Sequence, residues 1–333
     1  SRQVLFADLD GDRDADIVVR HASPPHEVFE NKLLWDYQPA AGFDELKTTE
    51  MTAIVAGDID ADGRAELYSS DSQGGVERWR PDGDGVWRSH DLAAVGAVAI
   101  DRMTLADLTG DGLVELVLPG GDGLRAFDPI EGAEVASVDA SEGVWALAAL
   151  DPGRGPSLVT WSAGQPPSVH RPGPGRFAFV ALSLTGREDD NDAMRSIASG
   201  IGNRVAMRVG SRWTVAETLR ASSGPGQSLQ PLEIGTAGRE RADFVAIDWS
   251  DGVFQTELDL SAGAVHVVAE TQRQLSSCPV LFAWNGVDFA FISDILGVGG
   301  MGYAVGPGEY GEPRPWENYL LPQGIPAARD GLL

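Results

Sequence analysis

The sequence predicts an all-β protein, and three observations carry that prediction. A nine-residue acidic segment recurs at a nearly constant interval. Short apolar runs flank each copy, and no stretch of residues 1–178 sustains the 3.6-residue period of a helix. The copies occupy residues 7–17, 57–67 and 106–116, and their first carboxylates, Asp8, Asp58 and Asp107, stand 50 and 49 residues apart. A fourth, degenerate copy at 148–158 has Ala149 where the others have Asp and keeps Asp151 alone at a ligand position.

Each copy lies between two apolar segments: Val4, Leu5 and Phe6 before Ile17, Val18 and Val19; Ile54 and Val55 before Leu67 and Tyr68; Leu105 before Leu116, Val117 and Leu118. Short apolar runs joined by a turn-rich nonapeptide form a β-hairpin. A second hairpin-like stretch follows at 28–31, 76–83, 124–129 and 169–173. Two hairpins per repeat of 40–50 residues make one four-stranded sheet, the blade of a β-propeller. Four blades are visible, and the expectation is that further blades, outside this chain, complete a seven-bladed parent. The alternative is that strands of the second half complete the ring.

The chain has 333 residues, a net charge of −25, 41 Gly, 20 Pro and a single Cys. That length suits roughly two domains and a sizeable core. Binding to phosphate or to anionic lipid needs clustered Lys and Arg, so nucleic acid and anionic membranes are poor partners for so acidic a protein. No run of 18 apolar residues is present, so no membrane insertion is expected. The lone Cys278 excludes an internal disulfide framework and thiolate zinc sites, and it reads as a small buried hydrophobe. His21 and His26 read as solvated loop residues. Ser1 at the start and the abrupt end at Leu333 suggest a processed or partly observed longer chain.

The nonapeptides place oxygen ligands at positions 1, 3, 5 and 9, with a backbone carbonyl at position 7. That is a donor set for a hard cation, and Ca²⁺ is favoured by ligand number and loop flexibility. The first loop offers Asp8, Asp10, Asp12 and Asp16 with the Asp14 carbonyl; the second offers Asp58, Asp60, Asp62 and Glu66 with the Arg64 carbonyl. The third offers Asp107, Thr109, Asp111 and Glu115 with the Leu113 carbonyl, and its hydroxyl ligand should weaken it. In the first loop, five carboxylates including Asp14 fall within nine residues, relieved only by Arg13. Like charges about 4 Å apart cost about 1 kcal/mol per pair even in water, so a cation is needed to keep the loop closed. The expectation is about three structural Ca²⁺ ions, which would reduce the charge from −25 to −19, and an empty fourth loop.

These loops and their trailing hairpins resemble the FG-GAP (VCBS) repeat family. The resemblance implies integrin-like propeller blades with calcium between blade strands, closely matched at 8–16, 58–66 and 107–115 and only loosely at 149–157.

After residue 178 the repeat stops. The acidic stretch 188–192 has the wrong spacing for a metal loop and reads as a linker. Strand-like alternation resumes at 205–209, 244–249, 255–260 and 264–269 among Gly-rich turns, describing a compact all-β domain. The segments 200–202, 224–227 and 249–252 resemble the ASPIC and UnbV domain, which implies no catalytic residues. The domains expected are therefore 1–178 (propeller repeats), 179–272 (ASPIC/UnbV-like) and 273–333 (the start of a further β segment). In the last, 278–286 and 289–297 read as a hairpin with an aromatic core, and 297–302 as a structural glycine-rich loop.

Three functions follow as expectations. The first is a non-enzymatic, calcium-stabilised binding or scaffold protein outside the cytoplasm, at the cell surface or in the periplasm, taking protein or carbohydrate ligands. The second is a polysaccharide-active lyase or hydrolase on a propeller. The third is a structural subunit of a larger assembly, docking through the tail residues 313–316 and 319–322.

Overall fold

Alternating apolar residues on short strands bury one or both faces of a sheet, and the repeats use both. The computed structural model describes residues 1–32, 36–94, 99–120, 123–139, 144–186, 197–224, 229–250, 252–271, 280–294, 304–306, 309–310, 321 and 325–327. The calls made on Cys278, the linker 188–192, the glycine-rich loop 297–302 and nearly all of the tail segments lie outside the described residues, as do parts of the turns at 224–227 and 249–252.

The first sheet is β1 (Gln3–Ala7), β2 (Asp16–Arg20), β3 (Glu27–Asn31) and β4 (Tyr37–Pro39), in sequence order and antiparallel throughout. A single short helix, α1 (Asp44–Thr48), leads to the second sheet: β5 (Ala53–Gly57), β6 (Glu66–Ser70), β7 (Gly75–Pro81) and β8 (Trp87–Ala94). The third sheet is β9 (Thr104–Ala106), β10 (Glu115–Gly120), β11 (Gly123–Phe127) and β12 (Glu134–Asp139). The fourth repeat yields three strands among the described residues, β13 (Val144–Ala148), β14 (Ser157–Trp161) and β15 (Ser168–His170). The register repeats as closely as the sequence: Ala7 faces Asp16, Gly57 faces Glu66, Ala106 faces Glu115 and Ala148 faces Ser157. Each nonapeptide therefore connects the first two strands of its sheet.

Buried clusters lie between successive sheets. Leu5, Val18 and Val28 pack with Ile54, Leu67 and Trp79. Val55 and Tyr68, next in the chain to Ile54 and Leu67, turn the other way and with Val76 of the same sheet pack with Leu105, Leu116 and Phe127. Val117 and Ala126 then meet Trp145, Leu147 and Leu158. The second and third sheets are thus covered on both faces, by a stack of four sheets held through apolar contact.

Residues after 178 add two more sheets to the same unit. One runs β19 (Leu232–Gly235), β16 (Phe179–Thr185), β22 (Ala264–Ala269); β16 and β22 are parallel. The other runs β18 (Arg212–Glu217), β17 (Arg204–Val209), β20 (Arg241–Asp248), β21 (Phe254–Ser261). Val180, Leu182, Val205, Met207, Val245 and Ile247 fill the space between them. By contact the chain divides at Glu270, so all six sheets belong to the unit Ser1–Glu270 and the rest forms a unit Thr271–Leu333. No helix among the described residues is long and apolar enough to cross a membrane.

Two expectations need correction. His26 is not solvated: it is 2% exposed, its Nδ1 accepts from the His21 amide at 3.1 Å and its Nε2 donates to the Thr49 carbonyl at 3.1 Å. In the second unit, β23 (Val280–Trp284) and β24 (Phe289–Asp294) form the predicted hairpin, but its aromatics are not a core. Phe282 and Phe291 meet edge to face at 5.9 Å while each keeps half or more of its surface exposed. Among the described residues no further strand pairs with this two-stranded ribbon.

Candidate metal loops

The three nonapeptides share one backbone frame. Positions 4 and 6 take left-handed φ in every copy: Gly11 (83°) and Arg13 (76°), Ala61 (59°) and Gly63 (97°), Gly110 (79°) and Gly112 (80°). This doubled reversal turns successive amides inward, where the first carboxylate collects them. Asp8 accepts from the Gly11 and Arg13 amides at 2.7 and 3.0 Å, Asp58 from Gly63 at 3.1 Å, and Asp107 from Gly110 and Gly112 at 2.7 and 2.9 Å. The ninth-position carboxylate closes the loop by accepting from the amide at position 2: Leu9 to Asp16 at 2.8 Å, Ile59 to Glu66 at 3.0 Å, Leu108 to Glu115 at 2.6 Å.

Arg13 and Ala61 hold the left-handed conformation without being glycine, at about 1–2 kcal/mol each. Ala61→Gly is therefore expected to stabilise the protein by about 0.5–1 kcal/mol after the flexibility gained by the unfolded chain is discounted. The check is the unfolding midpoint in EDTA, which should rise by about 2–4 °C; a lower midpoint would show that the loop does not hold this φ.

With the frame set, carboxylates converge. One oxygen each from Asp8, Asp10 and Asp16 lie within 4.8 Å of one another, as do those of Asp107, Asp111 and Glu115. In the second loop the grouping is Asp58, Asp60 and Asp62, without the ninth-position Glu66. Asp12 stays outside the first grouping and accepts from the Asp14 amide at 3.0 Å. Thr109 donates to Glu115 at 3.2 Å. Asp14, Arg64 and Leu113 occupy the seventh positions, where their carbonyls were assigned. In the fourth repeat a 3₁₀ turn at Pro152–Arg154 replaces the loop, and no grouping of three carboxylates forms there among the described residues.

Burial, reinforced by neighbouring carboxylates, pushes these acids up. Asp10 reaches about 7, Asp14 about 6, Asp107 about 6 and Glu115 about 8, and Asp8, Asp16 and Asp58 move in the same direction. Asp14 Oδ1 and Asp58 Oδ1 are buried with no hydrogen-bond partner. Bare buried oxygens and mutually repelling carboxylates in an all-oxygen donor set are what a divalent cation would satisfy. The first loop meets both conditions, the second has the bare Asp58 oxygen beside its grouped carboxylates, and the third meets the condition of converging carboxylates alone.

Later strands clasp the loops, which the sequence did not reveal. The Gly235 amide donates to Asp107 Oδ2 at 2.9 Å, Ala237 donates to the Gly110 carbonyl at 2.9 Å, and Arg212 and Thr214 donate to the carbonyls of Asp111 and Gly112. A Cβ on Gly235 would come within 2.2 Å of the Gly110 carbonyl carbon, so only glycine permits this approach. On the second loop, the Arg204 guanidinium meets Asp58 Oδ2 at 2.7 Å, and Arg78 reaches Asp60 Oδ2 at 3.3 Å and Glu66 Oε1.

Beside the loops lies a cavity of about 140 Å³, lined by Phe6, Leu105, Leu147, Glu217, Glu233 and Ile234 among others. Burial pushes Glu217 to about 7 against the pull of Arg204, and Glu233 to about 8 against that of Arg176. Glu233 Oε1 is buried without a hydrogen-bond partner.

Comparison with known proteins places these features in context. Residues 58–118, which hold the second and third loops, match the FG-GAP-like repeat. No curated protein matches the sequence. Among solved structures, the chain is similar to an Agrocybe aegerita lectin described for specific recognition of non-reducing terminal N-acetylglucosamine. The identity is 17%, over 77% of this chain and 65% of that one, with a TM-score of 0.35. It is also similar to the V. cholerae biofilm matrix protein Bap1, at 16% identity over 76% of this chain and 47% of that one, with a TM-score of 0.32. The matched part spans less than two thirds of either protein.

Proposed function

We propose that this chain is a calcium-stabilised binding or scaffold module that works outside the cytoplasm, at a cell surface or in a periplasm, and presents a propeller surface to protein or carbohydrate. The observation that carries the reading is the recurrence of one loop frame at one register of three stacked sheets, with carboxylates converging in each. The FG-GAP-like match over 58–118 supports it. Asp8, Asp10 and Asp16 would hold one ion and Asp107, Asp111 and Glu115 another. Bound calcium supplies charge neutralisation that cross-links each loop. The chain's own amides fix the carboxylates in place beforehand and leave few positions open to a substrate, which favours a structural role. Sites of this extracellular kind take calcium at about 10⁻⁴–10⁻³ M, levels met outside cells. We read residues 179–272 as the ASPIC/UnbV-like part, with turns at Gly200 and Gly202, and the sheet stack as part of a seven-bladed propeller.

The test surveys the immobilised chain against arrayed glycans and extracellular matrix proteins in 5 mM CaCl₂ and in EDTA. Saturable capture that weakens in EDTA is the expected result; absence of capture under both conditions would sink the binding role. A second reading, polysaccharide hydrolysis or cleavage, is favoured by one observation, the cavity carrying Glu217 and Glu233 with raised pKa values outside the metal loops. Release of reducing ends by the native chain, lost in Glu233→Gln, would favour that reading over the first.

A further inference from the structure

We infer that Arg78 and Arg204 take the place of the cation in the second loop, so that this loop closes without metal and the chain holds two calcium ions, in the first and third loops. The inference rests on the calcium reading above and modifies it.

The three loops are alike in backbone and unlike in counter-charge. In the second, three of the four expected side-chain ligands already face a guanidinium: Asp58 at position 1, Asp60 at position 3 and Glu66 at position 9. Arg78 is only 8% exposed at its side chain, so its charge is enclosed with the carboxylates rather than shared with solvent. Four carboxylates against two guanidinium groups leave a net charge of −2 in this loop, from Asp58, Asp60, Asp62 and Glu66. The first loop carries five carboxylates, and its Arg13 is 79% exposed and aimed at Asp248. No arginine or lysine is ion-paired to the third loop's carboxylates among the described residues.

Register shows why the second sheet differs. Arg78 pairs with Tyr68 at the place where Val28 pairs with Val18 and Ala126 with Val117. The neighbouring sheets thus put a small apolar residue where this one puts a guanidinium that reaches the loop. Glu66, turned toward Arg78, is the ninth-position acid missing from its loop's carboxylate grouping, whereas Asp16 and Glu115 belong to theirs. With Asp58 Oδ2, Asp60 Oδ2 and Glu66 Oε1 each facing a guanidinium, a divalent ion among the oxygens that remain would sit against two positive groups. Arg204 comes from β17 and also approaches Asp248 at 3.8 Å. The second loop is therefore a metal-independent tie between the repeats and the later strands.

The experiment counts calcium on the full chain after EDTA treatment and dialysis, by calorimetric titration with CaCl₂ and by elemental analysis. Two ions per native chain, and three in Arg78→Met with Arg204→Gln, are the expected results. Three in the native chain, or two in both proteins, would overturn the inference. No calcium on the native chain would defeat the calcium reading instead, and the arginines would then be judged by melting in EDTA. There Arg204→Gln should lower the midpoint by roughly 5 °C or more, Arg204→Lys should recover part of the loss, and Arg13→Gln should change little. If the Arg78 variant does not fold, the single Arg204→Gln chain decides the matter in the same way: an unchanged midpoint in EDTA overturns the inference, and a loss rescued by Lys supports it.

Discussion

Calcium at about one hundred times its dissociation constant is expected to raise the unfolding midpoint by roughly 10–20 °C over the same protein in EDTA. Mass action gives about 2.7 kcal/mol per site at that excess, hence roughly 5 kcal/mol for the first and third loops together. A folded unit of this size gains about 2–4 °C per kcal/mol. Magnesium at equal concentration should do much less, because it demands tighter octahedral geometry and gives up its water reluctantly. Glu115→Gln sharpens the test because its two effects have opposite signs. Glu115 is 4% exposed and lies among Asp107 and Asp111. In EDTA, a neutral side chain that need not take up a proton on folding should stabilise the fold; in calcium, removing a ligand should cut the shift by about half. Identical midpoints for the native chain in EDTA, Ca²⁺ and Mg²⁺ would reduce the loops to acidic turns, and the inference from calcium to a location outside the cytoplasm would fail with them.

The loops were legible because their constraints are local. Glycine or a tolerated left-handed residue is needed at positions 4 and 6, and carboxylates at 1 and 9 are needed by amides a few residues away, so all of it is written within nine residues. The strands β3, β7, β11 and β15 were legible for the same reason, through short apolar runs next to turns. Contacts that close over long separations left no such trace. Arg204 meets Asp58 across 146 residues, and Gly235 meets Asp107 across 128. Neither residue differs locally from an ordinary strand or turn position. β16, Phe179–Thr185, opens with four apolar residues immediately after the last repeat, and in its parallel pairing with β22 Val180 meets Ala264, 84 residues on. Arg78 left no local signal either. The second sheet is covered on both sides, so a charged residue on either face of β7 is interior, which only the packing of neighbouring sheets reveals.

The calcium-free protein should become more stable as pH falls from 8 to 6, the reverse of ordinary acid denaturation. Glu115, Glu217 and Glu233 are pushed to about 8, 7 and 8 in the folded state, chiefly by burial. In an unfolded chain such groups titrate near 4.3. Between those values the folded state holds protons that the unfolded state has released, so the folded state gains on acidification. The stabilisation is complete below about pH 4 and is lost as pH rises through the folded values. Integrating proton uptake by these three groups, and leaving out the more exposed Asp10 and Asp14, the gain from pH 8 to pH 6 is about 6 kcal/mol. Calcium should flatten this slope, because ions and protons compete for the loop carboxylates and bound metal keeps them charged. The calcium-induced shift should therefore be largest near pH 8 and shrink toward pH 5.5, where the loops are neutralised by protons instead. Glu217→Gln, outside every loop, should remove its own share of the slope with or without calcium. Urea unfolding in EDTA at pH 8, 7 and 6 measures the whole effect. A calcium-free protein that loses stability over this range would show that the acids are ionised in the fold, and that the loops stay closed without help from either cation or proton.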